Sequence, residues 1–178
     1  MKAKLMMVTL LAAIVLAACG GKGTDEGKPV KEKETSNVKE LVRDYSTGSK
    51  KAKNASITPQ QLIVTAKDGS QTAYNLPKDE FFVSIAPYIN ETHPCTNHSL
   101  TGCKAELANK EFKLYIKDED GNVLRDEMVT AQSNGFIDLW LPRNKTYQMK
   151  IELDGKKVES GLSTFNDDPT CITTMQLM

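Results

Sequence analysis

The chain has 178 residues and equal numbers of basic and acidic side chains, 23 of each, so its formal charge is zero. Without an excess of positive charge no basic face of the kind that tracks phosphates is implied, and no nucleic-acid partner is expected. Lys2 and Lys4 precede an apolar run over 5–15, too short to span a bilayer, and Leu16-Ala17-Ala18-Cys19-Gly20 follows it. This is the layout of a lipoprotein signal peptide over 1–18, in which small residues precede a cysteine that is acylated after cleavage. Its removal leaves 21 basic against 23 acidic residues. Lipidation of Cys19 places the mature protein outside the cytoplasm, anchored to the cell membrane, on the periplasmic face where there are two membranes. Residues 19–36 hold a single large apolar side chain, Val30, and read as a flexible tether.

Next in order, Val38, Leu41, Val42 and Tyr45 stand at i, i+3, i+4 and i+7 and predict one short amphipathic helix. Ser36 or Asn37 can cap it, and Gly48 ends it. Strands over 61–66 and 71–76 flank Asp68-Gly69, a two-residue hairpin signal. Helix and hairpin form a small N-terminal unit over 37–80. From 81 onward the pattern is strands only. Residues 81–86 are apolar, and Pro87 limits that strand to an edge or an end. Phe112, Leu114 and Ile116 alternate before the Asp120-Gly121-Asn122 turn and a short strand at 123–124. Residues 136–141 follow Asn134-Gly135. Tyr147, Met149, Ile151 and Leu153 alternate up to Asp154-Gly155, and 171–178 closes the chain. The fold class expected is mainly β, α+β overall, with an antiparallel β-sandwich over 81–178.

With Cys19 assigned to lipid, Cys95, Cys103 and Cys171 remain, and an odd thiol in an exported protein needs a reason. The candidates are a reactive thiol, a disulfide to a partner, or one soft metal held by all three sulfurs. The stretch 93–103 carries two of these cysteines and both histidines of the chain, His93 and His98, with Pro94 and Gly102 making it a loop. Cys171 comes from the last strand, where period-2 alternation gives it one face with Thr173, Met175 and Leu177. Soft thiolates select Cu(I), zinc or iron–sulfur clusters. A cluster wants four cysteines and ranks last. Zinc wants four ligands and would draft His98 or His93 as well. Three sulfurs satisfy Cu(I), so the count favours it over zinc. The two histidines are secondary ligand candidates. Met175 and Met178 fall on opposite strand faces and read as packing, and Asp118-Glu119-Asp120-Gly121 lacks the leading carboxylate of a calcium loop and reads as a turn.

A resemblance adds to this. Phe82-Val83-Ser84-Ile85-Ala86-Pro87, then Thr92-His93-x-Cys95, then His98-Ser99-Leu100-Thr101-Gly102-Cys103-x-x-Glu106 resembles the CueP family of bacterial envelope copper-binding proteins. Gly135-Phe136, Leu139 to Asn144, and Asp168-Pro169-Thr170-Cys171-x-Thr173-Thr174 continue it through 81–178. The resemblance implies Cu(I) bound by Cys95, Cys103 and Cys171, and an association with keeping copper cuprous and passing it to other envelope proteins. The lipoprotein signal departs from the soluble periplasmic members. The leading expectation is therefore a lipid-anchored copper-binding protein for buffering, resistance or delivery to a client cuproenzyme or copper exporter, and a homodimer is compatible with it. A thiol-dependent Cu(II) reductase is the alternative, which leaves enzymatic activity open. A structural envelope module with one disulfide and a spare thiol stands after that.

Overall fold

The computed structural model describes residues 30–33, 35 and 37–178. The signal peptide over 1–18, Cys19 and most of the tether segment lie outside the described residues. The helix α1 (Val38–Ser46) forms as its spacing predicts, burying Val38, Val42 and Tyr45 on one side. Asn37 makes no side-chain cap, and Gly48 ends the helix at φ +78°. No helix among the described residues is long and apolar enough to cross a membrane.

The protein is mainly β, with three sheets among the described residues. Strands β1 (Lys31–Lys33), β2 (Asn54–Ile57), β3 (Gln61–Thr65), β4 (Gln71–Asn75) and β6 (His98–Ser99) make a five-stranded sheet in the order β1-β4-β3-β2-β6. The Asp68-Gly69 hairpin joins β3 to β4, with Gly69 at φ +83°. Lys31–Lys33, within the segment read as tether, pairs in parallel with the outer edge of β4. Strands β7 (Glu111–Asp118), β8 (Val123–Thr130), β10 (Thr146–Leu153) and β11 (Lys156–Ser163) form an antiparallel sheet in the order β11-β10-β7-β8. It packs on a three-stranded sheet of β12 (Cys171–Gln176), β5 (Glu80–Tyr88) and β9 (Ile137–Pro142).

The core of this sandwich joins Phe112, Leu114, Ile116, Tyr147, Met149 and Ile151 to Phe81, Val83, Ile85, Ile137, Leu139 and Leu141. Alternation along β5 then sends its even-numbered residues the other way. Phe82 packs into a second core with Val42, Tyr45, Ile57, Leu62 and Leu100, while Ala86 packs against Cys171 and Phe136. One strand thus serves two cores, which is why 81–87 is buried without a break.

Two local expectations change. Of the two alternatives for the strand at 81–86, an edge or an end at Pro87, the edge does not hold: β5 is the middle strand of its sheet, and Pro87 stands at its end, one residue before Tyr88. Pro87 is tolerated because it stands opposite a register shift in β12, between Ile172 and Met175, where no regular ladder bond is asked of it. That shift also breaks the period-2 reading of the last strand. The three steps from Ile172 to Met175 match two on β5, so Met175 and Leu177 enter the sandwich core while Cys171, opposite Ser84, packs on the other face with Ala86 and Phe136. The β12–β5 pair is parallel, as is β1–β4, within an otherwise antiparallel set.

Candidate metal centre

After β5 the chain makes a long excursion, 89–106, and this loop carries Cys95, His98 and Cys103. Backbone bonds tie it to both sheets. His98 pairs with Ile57 of β2, and the Leu100 N–H donates to the Ala55 carbonyl (2.8 Å). The other side is sewn to the segment around Cys171: the Cys171 N–H donates to the Thr96 carbonyl (3.1 Å), and the Thr92 hydroxyl donates to the Thr173 carbonyl (2.7 Å). Thr170, fully buried, joins the two sets, accepting from the His98 N–H (3.0 Å) and donating to the Ile57 carbonyl (2.7 Å). Backbone and threonine hydroxyl bonds thus hold the loop to both of its neighbours, in addition to any bond between sulfurs.

Within that frame, the sulfurs of Cys95, Cys103 and Cys171 and a ring nitrogen of His98 all lie within 4.8 Å of one another. Cys95 and Cys171 are joined as a disulfide, with their Cα atoms 5.6 Å apart and a sequence separation of 76. Cys103 is a free, half-buried thiol, its sulfur 3.8 Å from that of Cys95. The third sulfur, Cys171, is buried, with His98 Nδ1 at 3.6 Å. Ala86, Ala105 and Phe136 supply an apolar wall.

His98 is fully buried, and its Nε2 has no hydrogen-bond partner. Burial is the main cause that pushes its pKa down from 6.5 to about 4, against the opposing pull of the Asp138 carboxylate and helped by His93. The imidazole is therefore neutral at ordinary pH, the form that has a lone pair for a metal. The Phe136 ring fixes its plane, with centroids 4.4 Å apart. Beyond Cys171 on the sheet, Ser84 donates to Asp138 (2.6 Å), which also accepts from Ser46 (2.6 Å) and Gln132 (2.8 Å).

His93 is placed differently. Its ring stands edge-on to Phe136 at 6.3 Å, beside a cavity of about 260 Å³ shared with Glu91, Lys104 and Glu106, and it does not join the four-residue cluster. Met175 is buried and packs in the core as expected, whereas Met178 lies beyond the end of β12 and is exposed, so it does not pack. Asp118 closes its turn by accepting from the N–H groups of Asp120 (3.1 Å) and Asn122 (2.8 Å). Asp168 likewise accepts from the Phe165 N–H as a turn residue.

No curated protein sequence matches the chain significantly. A family model described as "Periplasmic copper-binding protein CueP" matches residues 38–176. The chain belongs to the CueP family. Among solved structures, the crystal structure of S.CueP matches with 33% sequence identity and a TM-score of 0.75, covering 80% of this chain and 89% of that one. The CueP match spans both the helix-and-hairpin region and the sandwich. It therefore reaches further toward the N-terminus than the motifs in 81–178 on which the resemblance was drawn. Phe136 lay inside those motifs, but nothing in its residue type marked its place against Cys171 and the His98 ring. The pair Ser84 and Asp138 carried no sequence signal, because their contact depends on strand register.

Proposed function

We propose that this CueP-family chain binds Cu(I) as its cargo through the thiolates of Cys95, Cys103 and Cys171, with the neutral imidazole of His98 beside them, for copper buffering or delivery in the envelope. The observation that carries the reading is the donor set: three sulfurs and one nitrogen within 4.8 Å, backed by an apolar wall. Soft sulfur donors in a half-buried pocket suit Cu(I), and the residues present fit it without further ligands. In this reading the Cys95–Cys171 disulfide is the oxidised, metal-free form, and two electrons must open it before copper is taken up. The proposal includes division into 1–18, 19–36, 37–80 and 81–178, and a lipid anchor at Cys19 holding the copper site near a membrane-bound client or exporter.

Anaerobic titration of the reduced protein against a Cu(I) chelator tests it. One Cu(I) per chain is expected, with affinity reduced at least a hundredfold in Cys171→Ser; equal affinity in the two proteins would refute the three-thiol site. Zinc competing equally with Cu(I) for the same site would overturn the choice of metal.

The disulfide favours a second reading, thiol-dependent reduction of Cu(II). Two Cu(II) each gain one electron, the Cys95 and Cys171 thiols lose two electrons and two protons, and the S–S bond forms between them. Mixing reduced protein with Cu(II) under nitrogen should then give two Cu(I) per chain together with the Cys95–Cys171 bond. Absence of any Cu(I) removes this reading.

A further inference from the structure

Glu106 lies three residues beyond Cys103, at the point where the 89–106 loop returns to the place it left. Its carboxylate reaches back across the neck of that loop. Oε2 accepts the N–H groups of Ile89 (2.7 Å), Asn90 (2.9 Å) and Glu91 (3.3 Å), and Oε1 accepts the Asn90 side-chain amide (2.8 Å). Three successive backbone N–H groups converging on one anion form a nest that would otherwise hold water or a free anion. Here it holds the chain's own side chain, 15 to 17 positions away in sequence. Each bond is to a charged acceptor and so belongs to the stronger class.

The consequence is geometric. Cys95 stands four residues after the last clamped N–H, and Cys103 three before the carboxylate, so both loop sulfurs hang inside a neck that Glu106 closes. A second tie next to it, the Ala105 N–H on the Asn134 carbonyl (2.7 Å), fixes the returning segment to the turn before β9. The side chain is exposed, so its main contribution here is the four hydrogen bonds rather than burial of apolar surface. We propose that Glu106 is a positioning residue for the sulfur centre: it sets the separation of Cys95 and Cys103 and thereby the geometry of the three-sulfur site. Its carboxyl is held down at about 2, chiefly by the Asn90 and Ile89 backbone bonds, so the clamp stays charged across the physiological range.

The copper part of this inference rests on the function proposed above; the clamp itself does not, and two measurements separate them. The first uses no metal. Oxidised and reduced Glu106→Ala, Glu106→Gln and wild-type protein are equilibrated in glutathione redox buffers. Loosening the neck lowers the effective concentration of Cys95 at Cys171. Glu106→Ala should therefore shift the dithiol–disulfide equilibrium about tenfold toward the dithiol, near 30 mV, with Glu106→Gln between it and wild type. The second is X-ray absorption of Cu(I)-loaded protein, where Glu106→Ala should fall from three sulfur neighbours toward two and release copper to a chelator about tenfold faster. Asn90→Ala, which removes one of the four bonds, gives a milder variant should Glu106→Ala not fold. Equilibrium, sulfur coordination and release rate all matching wild type in Glu106→Ala would overturn the proposal. Failure of wild type to bind Cu(I), with the redox shift present, would instead overturn the copper reading and leave the clamp standing.

Discussion

Gly135 and Gly121 offer a paired test of how the turn before β9 supports the centre. Both sit in the left-handed region, at φ +87° and φ +85°. Alanine at either position meets the same backbone penalty, roughly 1–2 kcal/mol. Around Gly121 a Cβ meets nothing within 4 Å. At Gly135 it would lie 2.5 Å from the Ala105 carbonyl oxygen and 2.8 Å from its carbon, both backbone atoms that no rotamer change can clear. The Ala105 segment must therefore retreat, straining its bond to Asn134; overpacking of this kind costs about 1–3 kcal/mol more. Gly121→Ala should thus cost about 1–2 kcal/mol and Gly135→Ala about 2–5. With about 3 °C lost per kcal/mol for a folded region of this size, the melting temperatures should differ by roughly 3–9 °C. Thermal unfolding followed by circular dichroism on the oxidised proteins measures this. Because Ala105 lies between Cys103 and Glu106, Gly135→Ala should also weaken Cu(I) binding, and Gly121→Ala should not. Two variants that melt within 2 °C of each other would refute the collision argument.

Two further outcomes are expected. Opening the Cys95–Cys171 bond frees a loop of 76 residues of sequence separation, which by chain entropy is worth about 4 kcal/mol. Reduction should therefore lower the melting temperature by roughly 10–15 °C; of Cys95, Cys103 and Cys171, mild alkylation before reduction should label only Cys103, and labelling of Cys95 or Cys171 at that stage would contradict the pairing. For pH, His98 titrates near 4 when folded and near 6.5 when unfolded, so between those values the unfolded chain binds the extra proton. Its contribution, on the order of 3 kcal/mol, is complete above about pH 6.5 and is lost as pH falls toward 4. The melting temperature of the oxidised protein should drop over that window and flatten in His98→Phe; the same slope in both proteins would show that another group is responsible.

The fold was legible where burial is one-sided and hidden where it is two-sided or absent. Val38, Leu41, Val42 and Tyr45 gave α1, and Phe112 to Ile116 and Tyr147 to Ile151 gave β7 and β10, because each puts one face in a core. Strands β8 and β11 lie at the two edges of their sheet and are largely exposed, so their sequences carry little alternation; only the first two residues of β8 were expected, and β11 not at all. β5 was found with its end at Pro87, but its central place in the sheet was not. Its apolar run records contact with two cores, and Pro87 suggested an edge only because the register shift opposite it leaves no mark in the sequence. Strand β2 pairs with β3 over all four of its residues, and β6 adds a two-residue pairing to its other side; both are too short for their alternation to stand out in the sequence.

The centre divides in the same way. Cysteine arithmetic singled out the three sulfurs, since an odd count after Cys19 demands an explanation, and the loop between Pro94 and Gly102 named the nearest histidines. What the arithmetic left open was which two sulfurs pair when no metal holds them. The register shift in β12 decides it by turning Cys171 away from Met175 and toward the loop, where Thr96 receives its N–H and Cys95 its sulfur. Cys103 is then left beside the disulfide and off its axis. A thiol poised to displace Cys171 from Cys95 in line would stand about 6 Å from the far sulfur, whereas all three lie within 4.8 Å. A compact triangle is poorly arranged for passing a disulfide from one cysteine to the next. Once the Cys95–Cys171 bond is opened, the same grouping leaves three sulfurs and the His98 nitrogen around one point, a donor set suited to one soft ion. That supports the copper reading over a spare thiol beside a structural bridge.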